Sequence, residues 1–353
     1  MKICFITPTF GIGGYEKFLL NIIEGLNKEY KIYTIAINGT GELYDDFKKV
    51  SIVKDLQCDR VRNSFFKLLK VLKEINPDLV YTSFSNINTL IFFINKIIKN
   101  KFKIIIGEHL ITNPKNTIDK FILNYVYENV NSIIAVSRFT KNKIVENLDV
   151  DANKIKVIYN PIINKTFLKN YNEEYKHKWL NENYVSIVLI GRIEKDKGFQ
   201  YILEAFSKLK TKKNIRFIIV GDGSYTNTLK ELCYSNDIAE FVDFIGFKKN
   251  PIKILKNADI HFVLSDYETF GNTVIEASYC GCKIITYKGV GGPEEILSML
   301  RDGKVLKDRH IRTIIESLKN LDKKSNFYNN DLSCFYEEKV LKEYINEFNK
   351  LKN

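Results

Sequence analysis

The stretch VSIVLIGRIEKDKGFQYILEAF, Val185 to Phe206, holds an apolar run, a glycine-flanked charged loop and an amphipathic segment in succession. Apart from Ser186, Val185–Ile190 is wholly apolar, which suits a strand buried on both faces. From Gln200 to Leu209 the apolar residues recur at helical spacing. Between them, Gly191 and Gly198 punctuate the chain around Arg192, Glu194, Lys195, Asp196 and Lys197. A strand, a loop and a helix in that order form the repeating unit of a parallel α/β sheet.

The same alternation continues outward. Downstream, Arg216–Val220, Val242–Ile245, Ile260–Leu264 and Lys283–Thr286 read as strands. Tyr225–Asn236, Pro251–Asn257 and Asn272–Tyr279 read as the helices between them, and Glu337–Phe348 as a terminal helix. Upstream, strands are expected at Ile3–Thr7, Lys31–Ile37, Asp78–Thr82, Lys103–Gly107 and Asn131–Val136. The intervening helices are Tyr15–Leu26, Ser64–Ile75, which stops at Asn76-Pro77 as a helix should, and Asn88–Ile98. Residues 164–183 are polar, charged and aperiodic. The expected fold class is α/β, with two Rossmann-like doubly wound domains at 1–163 and 184–335, a linker at 164–183, and residues 336–353 returning as a helix to the first domain. A ligand is expected in the cleft that the carboxyl ends of the strands face.

Composition narrows the class. A chain of 353 residues with 45% hydrophobic and 27% charged residues is an ordinary globular protein of about two domains. Its 18 Gly and 6 Pro are too few for a collagen-like or low-complexity chain. The apolar run at Met1–Pro8 stops too early for a signal-peptide core, and no stretch reaches the roughly 18 apolar residues of a spanning helix. Of the six cysteines only Cys280 and Cys282 are close, and one CxC offers no second ligand pair for zinc. A reducing, cytoplasmic location is expected. The net charge of +12 favours phosphates, nucleic acid or an anionic membrane face. It is spread evenly, with 23 basic and 16 acidic residues in 1–163 against 31 and 26 in 164–353. No nucleic-acid-binding signature accompanies it, so a lysine-rich solvated surface is expected and no nucleic-acid partner.

Three segments carry candidate chemistry. Gly11-Ile12-Gly13-Gly14 joins a strand to a helix, where backbone N–H groups and the helix dipole favour a phosphate. It is neither GxGxxG nor a Walker loop, and a plain tight turn is the competing reading. Arg192 and Lys197 at a strand's carboxyl end fit a diphosphate clamp, or are two solvated cations. Glu268 and Glu276, separated by seven residues across the start of a helix, fit acceptors for sugar and ribose hydroxyls, or are helix-terminal glutamates favoured by the dipole. Asp149-Val150-Asp151 lies away from all three and reads as a solvated turn rather than a metal site. His177, His261 and His310 have no Cys or carboxylate partner at ligand spacing.

Together, the glycine loop, GR-x4-KG at Gly191–Gly198, VGDG at Val220–Gly223, Gly246-Phe247 and E-x7-E at Glu268–Glu276 resemble retaining glycosyltransferases of family 4, which have the GT-B fold. Ser137-Arg138 and Asn160-Pro161 match the family's end of the first domain. Gly291-Gly292-Pro293-Glu294-Glu295-Ile296 is similar to members that build capsule or O-antigen polysaccharides. Thr269 stands where the family usually has Gly, and Cys282 where it often has Pro.

The resemblance implies roles. Gly13 and Gly14 face the donor diphosphate, and Arg192 and Lys197 neutralise it. Glu276 holds the ribose and Glu268 the donor sugar. Phe270 and Gly271 belong to the donor loop, and Asn272, Thr273 and Val274 offer backbone N–H groups. Phe247 lies beside the base, and His109 stands near the donor sugar as a catalytic or a structural group. The implied reaction is transfer from a nucleotide-diphosphate sugar, UDP-linked, to a glycan or polyprenyl-diphosphate-linked saccharide, with no metal and no cofactor. A nucleotide-sugar epimerase and a non-catalytic sugar- or polyanion-binding module are the competing functions. A lipid-linked acceptor implies peripheral binding at the inner membrane face. Phe65, Phe66, Leu68, Leu69 and Leu72 beside Arg62, Lys67, Lys70 and Lys73 suit an interfacial helix. So does Ile91-Phe92-Phe93 followed by Lys96, Lys99, Lys101 and Lys103. Both segments also stand where the sheet needs packed helices, and the lysines rather than the aromatics are expected to meet lipid.

Overall fold

The apolar runs pair as strands, and every strand pairing among the described residues is parallel. The computed structural model describes residues 1–180, 183–212, 214–301, 303–321, 323 and 330–352. Positions 181–182 of the expected linker, positions 213, 302, 322 and 324–329 of the expected second domain, and position 353 lie outside the described residues.

The chain divides into two units, residues 1–161 with 335 onward, and residues 162–334. In the first unit the strands are β1 (Lys2–Thr7), β2 (Lys31–Ala36), β3 (Ile52–Asp55), β4 (Leu79–Thr82), β5 (Lys103–Glu108), β6 (Ser132–Ala135) and β7 (Ile155–Val157), ordered β3-β2-β1-β4-β5-β6-β7. Its helices are α1 (Gly14–Leu26), α2 (Tyr44–Val50), α3 (Phe65–Ile75), α4 (Ser85–Ile97), α5 (Thr117–Asn129) and α6 (Arg138–Asn147). Alternate residues of β1 serve opposite cores: Cys4 and Ile6 face one cluster, Ile3 and Phe5 the other. Burial on both faces explains why these strands read as continuous apolar runs.

The second unit contains α7 (Lys165–Tyr171), α8 (Phe199–Ser207), α9 (Thr226–Ser235), α10 (Ile252–Leu255), α11 (Asn272–Tyr279), α12 (Gly292–Leu297) and α13 (Ile311–Lys319). Its strands are β8 (Val185–Ile190), β9 (Ile215–Val220), β10 (Val242–Gly246), β11 (Ile260–Phe262), β12 (Lys283–Tyr287) and β13 (Gly303–Leu306), ordered β10-β9-β8-β11-β12-β13. Each sheet reverses its winding direction beside its first strand, at β1/β4 and at β8/β11. Loops leaving the carboxyl ends there diverge and leave room for a ligand.

The last helix, α14 (Glu337–Lys350), belongs to the first unit. Its Val340, Tyr344 and Phe348 are fully buried against Phe18, Tyr81 and the outer core of β1. Burying a large apolar side chain contributes about 1.5–3 kcal/mol, so α14 is a structural wall of that core. Gly25 of α1 admits it, because a Cβ at this position would run into Leu341.

Residues 164–180, expected as linker, instead fold into the second unit. Asn164 caps α7 by accepting the Phe167 N–H at 2.8 Å. Phe167 packs against Tyr279, and Trp179 and Leu180 are buried. One apolar anchor at Phe167 and a pair at Trp179-Leu180 create no periodicity, which is why the segment reads as polar. The edge strand β3 and the polar helix α6 likewise went unread, since one is largely solvated and the other shows little apolar face. No helix among the described residues is long and apolar enough to cross a membrane.

Candidate active site

The clearest cluster lies at the carboxyl edge of the second sheet. After β8, a 3₁₀ turn at Lys195–Lys197 ends at Gly198, whose φ of +73° places it in the left-handed region. A Cβ there would strike the Leu264 carbonyl. Glycine therefore lets the Lys197 loop lie directly on the loop that follows β11. The Asp266 N–H seals that contact by donating to the Asp196 carbonyl at 2.7 Å.

Across this seam Lys197 Nζ meets Glu268 Oε1 at 2.6 Å, and the Ser265 hydroxyl donates to the same oxygen at 3.0 Å. Glu268 is itself held like a strand residue. Its N–H donates to the Val290 carbonyl and its carbonyl accepts the Gly292 N–H, both at 2.8 Å. The Gly291–Ile296 motif thus clamps the backbone of the Glu268 loop. Arg309 braces the loop from another side, pairing with Asp266 while its guanidinium lies 4.6 Å and 5.3 Å from the ring centres of Tyr201 and Tyr287. Arg192 is exposed, and no ion pair holds it among the described residues. One cation held on a carboxylate and one unpaired cation, both at a strand end, can meet a diphosphate.

Gly271, with φ +99°, precedes α11. Of the three backbone donors expected there, Val274 is a correction: its N–H already donates to the Gly271 carbonyl at 3.0 Å. Phe270 belongs to the same loop, with its side chain buried. Asn272 and Thr273 occupy the first turn, and Glu276 lies half-buried one turn on. Phe247 follows β10 and is 59% exposed, a ring open to a planar partner.

His261, which has no ligand partner at sequence spacing, has a structural one here. Fully buried in β11, it donates from Nδ1 to the Val188 carbonyl of β8 at 2.9 Å. That bond leaves Nε2 to accept the Thr273 hydroxyl at 3.1 Å. Burial pushes its pKa down to about 4, so the ring stays neutral and ties α11 to the middle of the sheet. A lone polar residue inside the apolar run Ile260–Leu264 was the available signal, because buried polar groups find partners.

At the first sheet's carboxyl edge the chemistry differs. Gly13 precedes α1, but the Glu16 carboxylate folds back against the Gly13 and Glu16 backbone N–H groups. Burial raises the Glu16 pKa, and these hydrogen bonds oppose the rise. The helix N-terminus expected to receive phosphate thus already holds an anion of its own. His109, after β5, is sandwiched between Tyr15 and Phe18 with ring centres at 5.1 Å and 4.1 Å. Its Nε2 lies 3.2 Å from the Tyr81 hydroxyl, and burial pushes its pKa down to about 3. The ring is therefore neutral near pH 7, with one ring nitrogen able to donate and the other to accept a hydrogen bond. Neighbouring Glu108 points to the opposite core, where Tyr127 and Thr112 donate to its carboxylate, and burial lifts its pKa to about 7.

Asp149 pairs with Lys120 at 3.3 Å, and Asp151 caps a 3₁₀ turn, as a solvated turn would. The described residues contain no cluster of three or more His, Cys, Asp or Glu suited to a metal.

Residues 171–330 match the family described as Glycosyl transferases group 1, and residues 12–163 that described as Glycosyltransferase Family 4. An uncharacterized glycosyltransferase of Methanocaldococcus jannaschii is 30% identical over 384 residues, covering 97% of this chain and 96% of that protein. A second from the same organism is 30% identical over 252 residues, 66% of this chain and 61% of its own length, so that match spans less than two thirds of the relative. A Campylobacter jejuni protein named N-acetylgalactosamine-N,N'-diacetylbacillosaminyl-diphospho-undecaprenol 4-alpha-N-acetylgalactosaminyltransferase is 22% identical over 337 residues, 91% of this chain and 90% of that one. The crystal structure of Anabaena HepE in complex with UDP has a TM-score of 0.81, covering 99% of this chain and 100% of that one at 16% identity, a likeness of fold. The two doubly wound sheets are those of the GT-B fold, and the chain belongs to glycosyltransferase family 4.

Proposed function

We propose that the protein transfers a sugar from a UDP-linked donor to a polyprenyl-diphosphate-linked saccharide, with retention of configuration and without a metal. The observation that carries this reading is the Lys197–Glu268 pair at 2.6 Å, on two loops locked together beside exposed Arg192. Charge develops on the diphosphate as the C1–O bond breaks, and preorganised cations act where charge develops. Arg192 and Lys197 supply that charge. The acceptor hydroxyl attacks the same face of the sugar, and its proton passes to the departing diphosphate oxygen. Glu268 accepts hydrogen bonds from the donor sugar, Glu276 from the ribose, and Phe247 stacks on the base. Backbone N–H groups of Asn272 and Thr273 complete the donor subsite.

Two likenesses support the substrates: HepE is described in complex with UDP, and the Campylobacter relative is named for a diphospho-undecaprenol acceptor. The protein then works at the inner membrane face. A thermal-shift screen over UDP-, GDP- and ADP-sugars tests the donor, since a ligand at a hundredfold excess over its Kd stabilises by about 2.7 kcal/mol. UDP-sugars alone are expected to raise the midpoint, and turnover in EDTA is expected to match turnover without it. A shift with GDP-sugars only, sugar conversion without acceptor, or full loss in EDTA each removes the corresponding part of the reading.

A further inference from the structure

A cavity of about 560 Å³ opens at the carboxyl edge of the first sheet, between the turn entering α3 and the first turns of α4. Arg60 and Arg62 line one side, Phe65 and Phe93 the apolar wall, with Asn86 and Thr89 among the polar groups. The polar groups left to a ligand are donors. Among the described residues no ion pair holds either arginine. The Thr89 hydroxyl is spent on the Ser85 carbonyl at 2.8 Å. Asn86 Oδ1 accepts the Ile87 N–H at 2.9 Å, and the exposed amide has its NH₂ as its remaining donor. Two guanidinium groups and an amide NH₂ select an anion, and a planar fork suits phosphate oxygens in particular.

The apolar side continues beyond the cavity. Thr89, Phe93 and Ile97 are four residues apart and form one stripe along α4. Phe93 is 42% exposed and Ile97 58%, while Phe66 on adjoining α3 is 80% exposed. The inner faces of both helices are core, through Leu68, Leu72, Ile91 and Phe92, so these exposed residues are surplus to packing. A free nucleotide would use the cationic half alone. A phospholipid headgroup brings one phosphate where two forks wait. A diphosphate ester of a long isoprenoid matches both halves.

We propose that this cavity holds the diphosphate and first isoprene units of the acceptor's polyprenyl carrier, with the chain running over Phe93 and Ile97 into the bilayer. The proposal rests on the transfer reaction above and assigns a place to the acceptor's lipid end. The test compares phosphatidylcholine vesicles carrying undecaprenyl diphosphate with vesicles carrying the same negative charge as phosphatidylglycerol. The wild type is expected to bind the first at least about tenfold more tightly, the effect of one charge-assisted hydrogen-bonded contact or more. Arg60→Ala/Arg62→Ala, at two exposed positions, is expected to fold normally and lose that preference. Phe93→Asp is expected to weaken binding to both vesicles. Equal binding of the wild type to both vesicles, or an undiminished preference in the double variant, overturns the proposal. UDP calorimetry separates it from the donor reading: UDP binding without vesicle preference sinks this cavity alone, and preference without UDP binding sinks the donor reading alone.

Discussion

The carboxyl edges of the two sheets are built from opposite materials. The second unit's edge is charged and partly exposed. Lys197, Glu268, Asp266 and Arg309 sit on loops stitched by backbone hydrogen bonds. The first unit's edge, where α1 begins and β5 ends, is instead aromatic and closely packed, with Tyr15, Phe18, Tyr81, Phe84 and His109 ring on ring. Charges on short loops can follow the charge of a departing group. Packed rings fix a shape and suppress ionisation. A sugar-transferring protein needs both, and here they fall to different units.

The contrast is open to attack by mutation. Phe348→Ala, which empties a buried site behind the aromatic edge, is expected to lower unfolding free energy by about 3–5 kcal/mol in urea titrations. Lys197→Ala is expected to change stability by less than about 1 kcal/mol, yet to lower kcat by about 10²–10³-fold. If Lys197→Ala unfolds the protein, or Phe348→Ala spares its stability, the division between a charged working edge and a packed structural edge is wrong.

A smaller effect sharpens the donor assignment. Glu276→Gln is expected to weaken UDP binding by about 1.5–3 kcal/mol in calorimetry, the worth of a hydrogen bond to a charged group, with the melting temperature unmoved. Unchanged affinity would detach Glu276 from the ribose.

The smallest effect is in the pH profile. Glu108, with its pKa lifted to about 7 from the usual 4.5, keeps its proton in the folded state where the unfolded chain has lost it. Its contribution is full below pH 4.5 and is lost as pH rises through 7. His261, pushed from 6.5 to about 4, contributes fully above pH 6.5 and loses that contribution as pH falls through 4. His109, pushed to about 3, acts in the same direction on the acid side. Urea midpoints measured across this range are expected to flatten on the rising side in Glu108→Gln and to keep the acid-side decline. An unaltered rising-side slope would mean that Glu108 ionises freely.

These differences also explain what could be read in advance. The second unit's machinery is written in contiguous runs: Gly191–Gly198 and Glu268–Glu276 each carry their chemistry within nine residues or fewer, so spacing alone exposes them. The aromatic edge joins Tyr15, Tyr81, Phe84, His109 and Tyr344, which no window of sequence contains together. The same holds for the hydrogen bonds from His261 to Val188 and Thr273. The occupant of the Gly13-Gly14 loop is hidden for another reason. A glycine run before a helix announces free N–H groups, but not that a carboxylate three residues on will fold back over them. Strands buried on two faces were legible because both cores demand apolar side chains. Segments 44–55 and 164–180 were not, because few of their side chains are buried.

The placement of α14 has a consequence for how the protein is made. A ribosome delivers residues 1–161 first, yet the wall that Val340, Tyr344 and Phe348 provide arrives only after the whole of 162–334 has emerged. Until then the nascent first unit carries an open apolar flank around Phe18, Ile3 and Tyr81, the kind of surface that chaperones bind and that neighbouring chains invade. The second unit has no such dependence and can close as soon as it clears the exit tunnel. Birth order and completion order are therefore reversed: the unit synthesised first is the one that finishes last.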